Sequence, residues 1–337
     1  MPNIKVGISL SLSGRYSNQG RESYEGLSLW VSQVNENGGI YVDDLNAKCP
    51  LRLIGLDDES DIEKCRSNTE RLITRERVDI LLGPYSSSLA LAAAEMAEYY
   101  KKTLWNHGGS TDELGERGFK YLISSITPAG SYMHAIIDLV RKTDFGASNI
   151  TLFYARDSGF SRSIAEGARK RAAEKNFDVH EFGYKSGERN LRPLILEAVE
   201  STPDLILGMG RMEDDLVLAA QLTELGVGVK AVALIASSIK LFRDTFGPRA
   251  DGYLSSSQWE SGLKIKPDKG PSSLEFTRLF ASAYGKEPDY TAAQTYNIGL
   301  VIERCIEEAG TLDDGALLDT ARDLSFRTFY GDFRLDA

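Results

Sequence analysis

From Ile4 to about Ile235, short apolar segments alternate with amphipathic ones, and this alternation narrows the available folds more than any other feature of the chain. Ile4–Leu12 (IKVGISLSL) is apolar-rich and predicts a strand. A polar loop runs from Ser13 to Gly20. An amphipathic helix follows over about Arg21–Asn37, with Tyr24, Leu27, Trp30, Val31 and Val34 on its apolar face. Gly38-Gly39 stops it, because a left-handed helix cap favours glycine. The same reading predicts strands at Leu51–Leu56, Val78–Leu82, Thr103–Asn106 and Tyr121–Ser124, with helices at Asp61–Arg75 and Leu89–Lys101. From Pro128 the pattern begins again. Helices are predicted at Ser131–Thr143, Ser161–Lys175, Pro193–Glu200 and Asp214–Leu225, and strands at Asn149–Tyr154, Asp178–Phe182, Asp204–Met209 and Ala231–Ile235. Repeated βα units imply an α/β fold of parallel sheets with helices on both faces. Uninterrupted runs such as Ile80-Leu81-Leu82 fit strands buried on both sides.

A length of 337 residues points to two domains, at roughly 150 residues each. Val78–Gly83 (VDILLG) echoes Pro203–Gly208 (PDLILG), and each precedes a polar loop and a helix bearing an Ala-Ala pair, Ala92-Ala93 or Ala219-Ala220. The next strand ends both times in a small-residue turn, Gly108-Gly109-Ser110 or Ala236-Ser237-Ser238. This is either a two-lobe repeat or the general likeness of any two βα units. Lys264–Ser273 (KIKPDKGPSS) reads as an exposed loop.

With 39 basic and 49 acidic side chains the net charge is −10, against the basic patch that nucleic acid requires. No apolar run approaches the roughly 20 residues of a membrane span. Cys49 opens a strand and Cys65 lies early in the next helix, too far apart in a βα unit for the Cα separation of about 7 Å that a disulfide tolerates. All three cysteines therefore read as packing residues, and the three histidines leave little for a metal cluster. The chain enters its first strand directly after Met1-Pro2-Asn3, with no signal peptide. This fits either a cytosolic protein or one whose leader has been removed.

Ligands of open α/β sheets bind at the carboxyl ends of strands. Two loops there stand out, Gly83-Pro84-Tyr85-Ser86-Ser87-Ser88 and Asn106-His107-Gly108-Gly109-Ser110-Thr111. Both offer hydroxyls and backbone N–H groups, which suit either helix capping or an anion, and their place on adjacent strands favours the anion. Asp57-Asp58-Glu59 carries the oxygen ligands of a hard-cation site, but is more ordinarily a solvated turn. His107-Gly108-Gly109 looks like a hydrolase oxyanion loop, yet no G-x-S-x-G nucleophile elbow accompanies it. Gly159-Phe160-Ser161-Arg162-Ser163 lacks the last glycine, and His107, His134 and His180 are the only imidazoles. Gly208-Met209-Gly210 starts like a dinucleotide fingerprint but has Glu213 at the third glycine, and no phosphate-binding P-loop occurs. No catalytic set and no cofactor site emerges.

Taken in order and spacing, these segments resemble the type I periplasmic solute-binding proteins, in particular the branched-chain amino-acid-binding component of ABC importers. The resemblance rests on the opening KVGISLSLSG with Gln19-Gly20, Asn35-x-x-Gly38-Gly39-Ile40, Asp57-Asp58 and Gly83-Pro84-Tyr85-Ser86-Ser87-Ser88. It also rests on Pro288-x-Tyr290-x-Ala292-x-x-x-Tyr296 and the tail Gly331-x-Phe333-x-Leu335-Asp336, and so covers nearly the whole chain. It implies two doubly wound parallel-sheet lobes joined by a three-strand hinge, with a non-catalytic ligand cleft between them. The crossovers would fall near Ser125–Thr127, Tyr253–Ser257 and Phe329–Gly331. Lobe one would hold residues 1–125 plus 254–329, and lobe two 126–253 plus 330–337. Family members usually run on past the tail motif, so the chain is expected to have been trimmed after Ala337.

By the same resemblance, Ser87, Gly108, Gly109 and Ser110 would grip the ligand carboxylate and Phe160 would stack on the ligand. Read from the residues themselves, Tyr16, Tyr85 and Tyr290 would either line the pocket or serve in packing, and Arg15 would stand at its mouth. In the amino-acid binders a lobe-two acid pairs with the ligand ammonium; here that place falls at about Ile235-Ala236, with no acid. A family tyrosine of that lobe aligns with Arg211, which suits an anion, or else a surface ion pair with Glu213 or Asp214. The expectation is a monomeric solute receptor that takes a small carboxylate other than an ordinary branched-chain amino acid, closes by a hinge and docks on membrane permease subunits. It would work in the periplasm or, lipid-anchored, outside the cell. A cytosolic ligand sensor of the same fold, resembling amidase regulators, is the alternative.

Overall fold

A computed structural model describes residues 2–144 and 146–335, so the expectations placed on Met1, Asp336 and Ala337 lie outside the described residues. The backbone forms two compact units, Met1–Ile126 with Gln258–Ala337, and Thr127–Ser257.

The first unit holds a five-stranded sheet in the order Leu51–Asp57, Ile4–Leu10, Ile80–Leu82, Leu104–Asn106, Leu122–Ser124. Every pairing is parallel, with Ile4 opposite Leu51, Val6 opposite Ile80 and Leu104 opposite Leu122. Both faces are buried. Ile4, Val6, Ile8, Ile80 and Leu82 join Trp30, Phe276 and Ile302 on one side, whereas Leu81 packs with Leu72, Leu89 and Ala93 on the other. That alternation explains why these strands read as continuous apolar runs. The helix after the first strand begins at Ser17 rather than Arg21 and runs to Glu36, because the expected loop already closes its first turn through Gly20 N–H to the Tyr16 carbonyl. The helix expected over Asp61–Arg75 is α-helical over Ile62–Arg71 and continues as a π-helical turn, Leu72–Glu76.

The second unit repeats the arrangement. Its sheet order is Tyr253–Leu254, Ala231–Leu234, Leu205–Met209, Asn149–Ala155, Asp178–Tyr184, again all parallel. Numbered along the chain within each unit, both sheets read 2-1-3-4-5. The echo of VDILLG in PDLILG thus falls on the third strand of each sheet, and the two small-residue turns follow the fourth. In such a sheet the order reverses between strands one and three, and loops at that reversal splay apart to leave a binding crevice.

The segment after Gln258 adds helices Ser273–Tyr284, Tyr290–Ala309 and Asp314–Asp323, which the sequence reading left unassigned. The passage to lobe two expected near Phe329–Gly331 is not a change of unit. Phe326–Arg327 pairs antiparallel with Asp332–Phe333, Phe329 stacks on Phe276 at 4.7 Å, and Phe333 lies in the first unit's core. Residues 330–335 therefore belong with the first unit, because these aromatic side chains are buried there. The three cysteines are free and buried, as packing residues should be. Burial pushes the thiols of Cys65 and Cys305 up to about 12, which keeps them unreactive.

Candidate functional site

In the first unit the expected ligand loops leave the carboxyl ends of three adjacent strands: Ile4–Leu10 and Ile80–Leu82, which flank the order reversal, and Leu104–Asn106 beside them. The loop after strand Ile4–Leu10 is braced by the acid pair at the end of the neighbouring strand. Asp57 Oδ1 accepts the N–H groups of Leu12, Ser13 and Glu59, and its Oδ2 accepts the Ser13 hydroxyl. Desolvation raises the Asp57 carboxyl, but these bonds together outweigh it and hold it below its ordinary value. Asp58, 0% exposed, accepts the hydroxyls of Ser9 and Ser11 and the N–H of Ser60. There burial dominates and its carboxyl lies above the usual range. The pair is a clamp on a loop rather than a solvated turn, and among the described residues no group of three or more His, Cys, Asp or Glu is arranged to hold a metal.

This clamp places Arg15 and Tyr16. The Arg15 guanidinium lies 4.6 Å from the Tyr16 ring centroid, and Tyr16 meets Tyr85 edge-on at 5.9 Å. The Tyr85 hydroxyl is 2.8 Å from that of Tyr290, the first residue of helix Tyr290–Ala309. Arg15, Tyr16, Tyr85 and Tyr290 thus form one chain of contacts ending in a pair of phenols.

Ser86 and Ser87 open helix Ser87–Tyr100. Ser86 caps it with φ of +82°, a left-handed value that costs a non-glycine residue about 1–3 kcal/mol and is found at ligand loops. Ser87 Oγ accepts the Thr111 N–H at 3.1 Å, tying the two candidate loops together and leaving its own O–H to donate. Gly83 N–H donates to the Trp105 carbonyl at 2.9 Å, a second tie between the same strand ends.

The glycines act differently from expectation. The N–H groups of Gly108 and Gly109 both donate to Asn106 Oδ1, at 3.3 and 2.9 Å, while Asn106 Nδ2 donates to the Gly109 carbonyl and the Ser124 hydroxyl. These two amides are occupied by a buried side chain and do not form an anion nest. What glycine provides is room: a Cβ on Gly108 would lie 2.7 Å from Tyr85 Cα, and one on Gly109 would lie 2.2 Å from Ala90 Cβ. Asn106 is the organiser that sequence reasoning missed; its place at a strand end inside the quoted motif was the available signal. Beside it His107 is wholly buried, and burial holds its imidazole down to about 4 against the pull of the Gly83 carbonyl, so it is neutral. Ser110 and Thr111 complete the turn, both buried.

The second unit presents its expected residues at the equivalent strand ends. Phe160, in the first turn of helix Gly159–Glu174, meets Tyr132 edge-on at 6.0 Å, and the Arg211 guanidinium is 5.6 Å from its ring. Ala236 is 1% exposed, its side chain in the apolar core and its N–H donated to Asp215 Oδ2 at 2.8 Å. It is therefore a framework residue and not a lining one. Asp215, also missed, is 0% exposed and accepts the Gly210 N–H with its other oxygen at 3.0 Å.

The model of the family described as periplasmic binding protein matches residues 3–337. The chain belongs to the type I periplasmic binding proteins. Among its relatives, Leu/Ile/Val-binding protein homolog 8 of Brucella abortus is 25% identical over 312 residues, 89% of this chain and 74% of that protein. The leucine binding protein LivK of Thermotoga maritima has the same fold, with a TM-score of 0.83, 20% identity and coverage of 99% and 91% of the two chains. An ABC-transporter solute binding protein of Rhodopseudomonas palustris BisB5, solved with 3,4-dihydroxy benzoic acid, gives a TM-score of 0.82 at 16% identity, covering 99% and 89%. Two further chains of this fold are ABC transporter substrate-binding proteins, from Sphaerobacter thermophilus and Desulfitobacterium hafniense. No helix among the described residues is long and apolar enough to cross a membrane.

Proposed function

We propose that this periplasmic binding protein is the receptor of an ABC importer for a small carboxylate-bearing solute that is not an ordinary branched-chain amino acid, captured by hinge closure and handed to permease subunits. The hydroxyls of Ser87 and Ser110 supply the carboxylate grip in the first unit, with Arg15, Tyr16, Tyr85 and Tyr290 around the rest of the solute. Phe160 and Arg211 of the second unit supply the other contacts. The protein works as a monomer in the periplasm or on the outer surface of the cell.

The observation that carries this reading is the chemistry at Ile235-Ala236. No carboxylate stands there, and the nearby Asp215 spends both oxygens on backbone N–H groups and has no exposed surface. A solute ammonium would be left without its partner, and an unpaired buried charge costs about 3–5 kcal/mol. By contrast, each hydrogen bond to a carboxylate contributes about 1.5–3 kcal/mol. The R. palustris protein, solved with a carboxylate that has no amine, is a precedent for such a solute on this fold. The tyrosine chain suits a solute with a planar or hydroxylated body.

A thermal-shift screen of amine-free carboxylates (benzoate, 3,4-dihydroxybenzoate, succinate, 4-methylpentanoate) beside leucine, isoleucine and valine tests the reading. The largest upward shift is expected from an amine-free carboxylate. Greatest stabilisation by one of the three amino acids overturns it.

A further inference from the structure

We infer that Asp215 is a positioning residue of the second unit's ligand-binding end: its carboxylate ties the ends of strands Leu205–Met209 and Ala231–Leu234 together and so sets the place of Arg211. This rests on the reading above that Arg211 and Phe160 meet the solute.

Three bonds converge on this one residue. Its Oδ1 accepts the N–H of Gly210, its Oδ2 accepts the N–H of Ala236, and its own N–H donates to the Arg211 carbonyl at 2.9 Å. Arg211 is held from both sides, since its N–H donates to Asp214 Oδ2 at 3.3 Å. Position 210 has no room for a side chain: a Cβ there would lie 2.6 Å from both Asp214 Cβ and Tyr184 Oη and 2.8 Å from Asp215 Oδ1. Helix Met212–Glu224 thus carries a buried acid whose two oxygens accept one backbone N–H from each of the two strand ends, so that a single side chain joins both.

The charge state of this brace is open to its surroundings. Asp214 faces it from the same helix, and its carboxylate also accepts the Gly187 N–H. Tyr184 faces it from the end of strand Asp178–Tyr184, with a buried hydroxyl that finds no hydrogen-bond partner among the described residues. Asp157, bonded to Ser186, acts on Tyr184 in turn. The two bracing strand ends contribute only backbone N–H groups. Burial pushes the Asp215 carboxyl up to about 7, against the two N–H bonds and helped by Asp214. Protonation turns one acceptor oxygen into a hydroxyl and weakens one of the two ties.

The test is an NMR pH titration of the ligand-free full chain between about pH 5 and pH 9, a range that spans the ordinary histidine and raised carboxyl values. The amide protons of Gly210 and Ala236 should move downfield together as pH rises, with one midpoint. The Phe160 ring signals and the Arg211 Nε–H should follow the same midpoint, and the transition should be lost in Asp215→Asn. Overturning results are separate midpoints for the two amides, a transition that survives in Asp215→Asn, or Phe160 and Arg211 signals that do not follow. Should Asp215→Asn fail to fold, Tyr184→Phe decides. A retained transition supports Asp215, and a lost one assigns the titration to the phenol and refutes the brace. Because no solute is present, failure here leaves the carboxylate reading untouched, and a screen won by leucine leaves this titration untouched.

Discussion

The hydroxyl of Ser87 accepts the backbone N–H of Thr111 at 3.1 Å, so that one side chain joins the loops leaving two neighbouring strands. A hydroxyl that accepts from the protein has its proton free for a third party, here a solute carboxylate. Ser87→Ala removes both functions. It should weaken binding of the best amine-free carboxylate by about 10- to 100-fold, the equivalent of one charge-assisted hydrogen bond. Isothermal titration calorimetry measures it; unchanged affinity would remove Ser87 from the grip.

The phenol pair gives a milder outcome. Tyr290→Phe deletes one oxygen of the Tyr85–Tyr290 bond without touching the packing of the ring. Stability should fall by about 0.5–1.5 kcal/mol, the net worth of an ordinary hydrogen bond. Chemical denaturation reads this directly, and a solute that bonds to the pair should also lose affinity in the variant.

Gly109→Ala is expected to destabilise the first unit. The new methyl would lie 2.2 Å from Ala90 Cβ, between a strand end and a packed helix, where neither backbone has room to yield. Overpacking of this kind costs about 1–3 kcal/mol. A melting temperature equal to wild type would mean that the turn shifts freely and that its shape is not built into the site.

An acid-side loss of stability should trace to Asp204 in the second unit. Its Oδ2 accepts the N–H groups of Ser148 and Asn149, and Lys230 pairs with its Oδ1 at 2.9 Å. The two backbone bonds and the ion pair outweigh desolvation and hold its carboxyl down to about 2. A folded-state value below the unfolded one stabilises the protein above about pH 4, and that contribution disappears as pH falls through about 2. Asp204→Asn should therefore cost about 2 kcal/mol at pH 7, with the difference from wild type vanishing toward pH 2. A constant difference across that range would contradict the linkage.

Much of this was readable from the chain, for definable reasons. Short strands such as Ile80–Leu82 are buried on both faces and announce themselves as apolar runs between turn residues. The loops carrying Tyr85, Ser87, Gly108 and Ser110 follow from strand ends in a parallel sheet. Helix Tyr290–Ala309 was missed because it is buried nearly all round, and buried polar residues such as Gln294, Thr295 and Asn297 erase the amphipathic period that marks a surface helix. The role of Asp215 was also invisible, because its partner Ala236 lies 21 residues away and nothing in local spacing encodes that meeting. Asn106 differs, since its N–H partners Gly108 and Gly109 follow two and three residues on within the quoted motif.

The central claim, that the site takes a carboxylate and has no partner for an amine, is tested most directly by calorimetric titration of matched pairs differing only in the α-amine: leucine against 4-methylpentanoate, and phenylalanine against 3-phenylpropanoate. The amine-free member should bind the tighter in each pair that binds, by 10-fold or more, an estimate of about 1.4 kcal/mol per decade. Tighter binding of leucine or phenylalanine than of its amine-free partner would contradict the claim and point to an acid that reaches the solute.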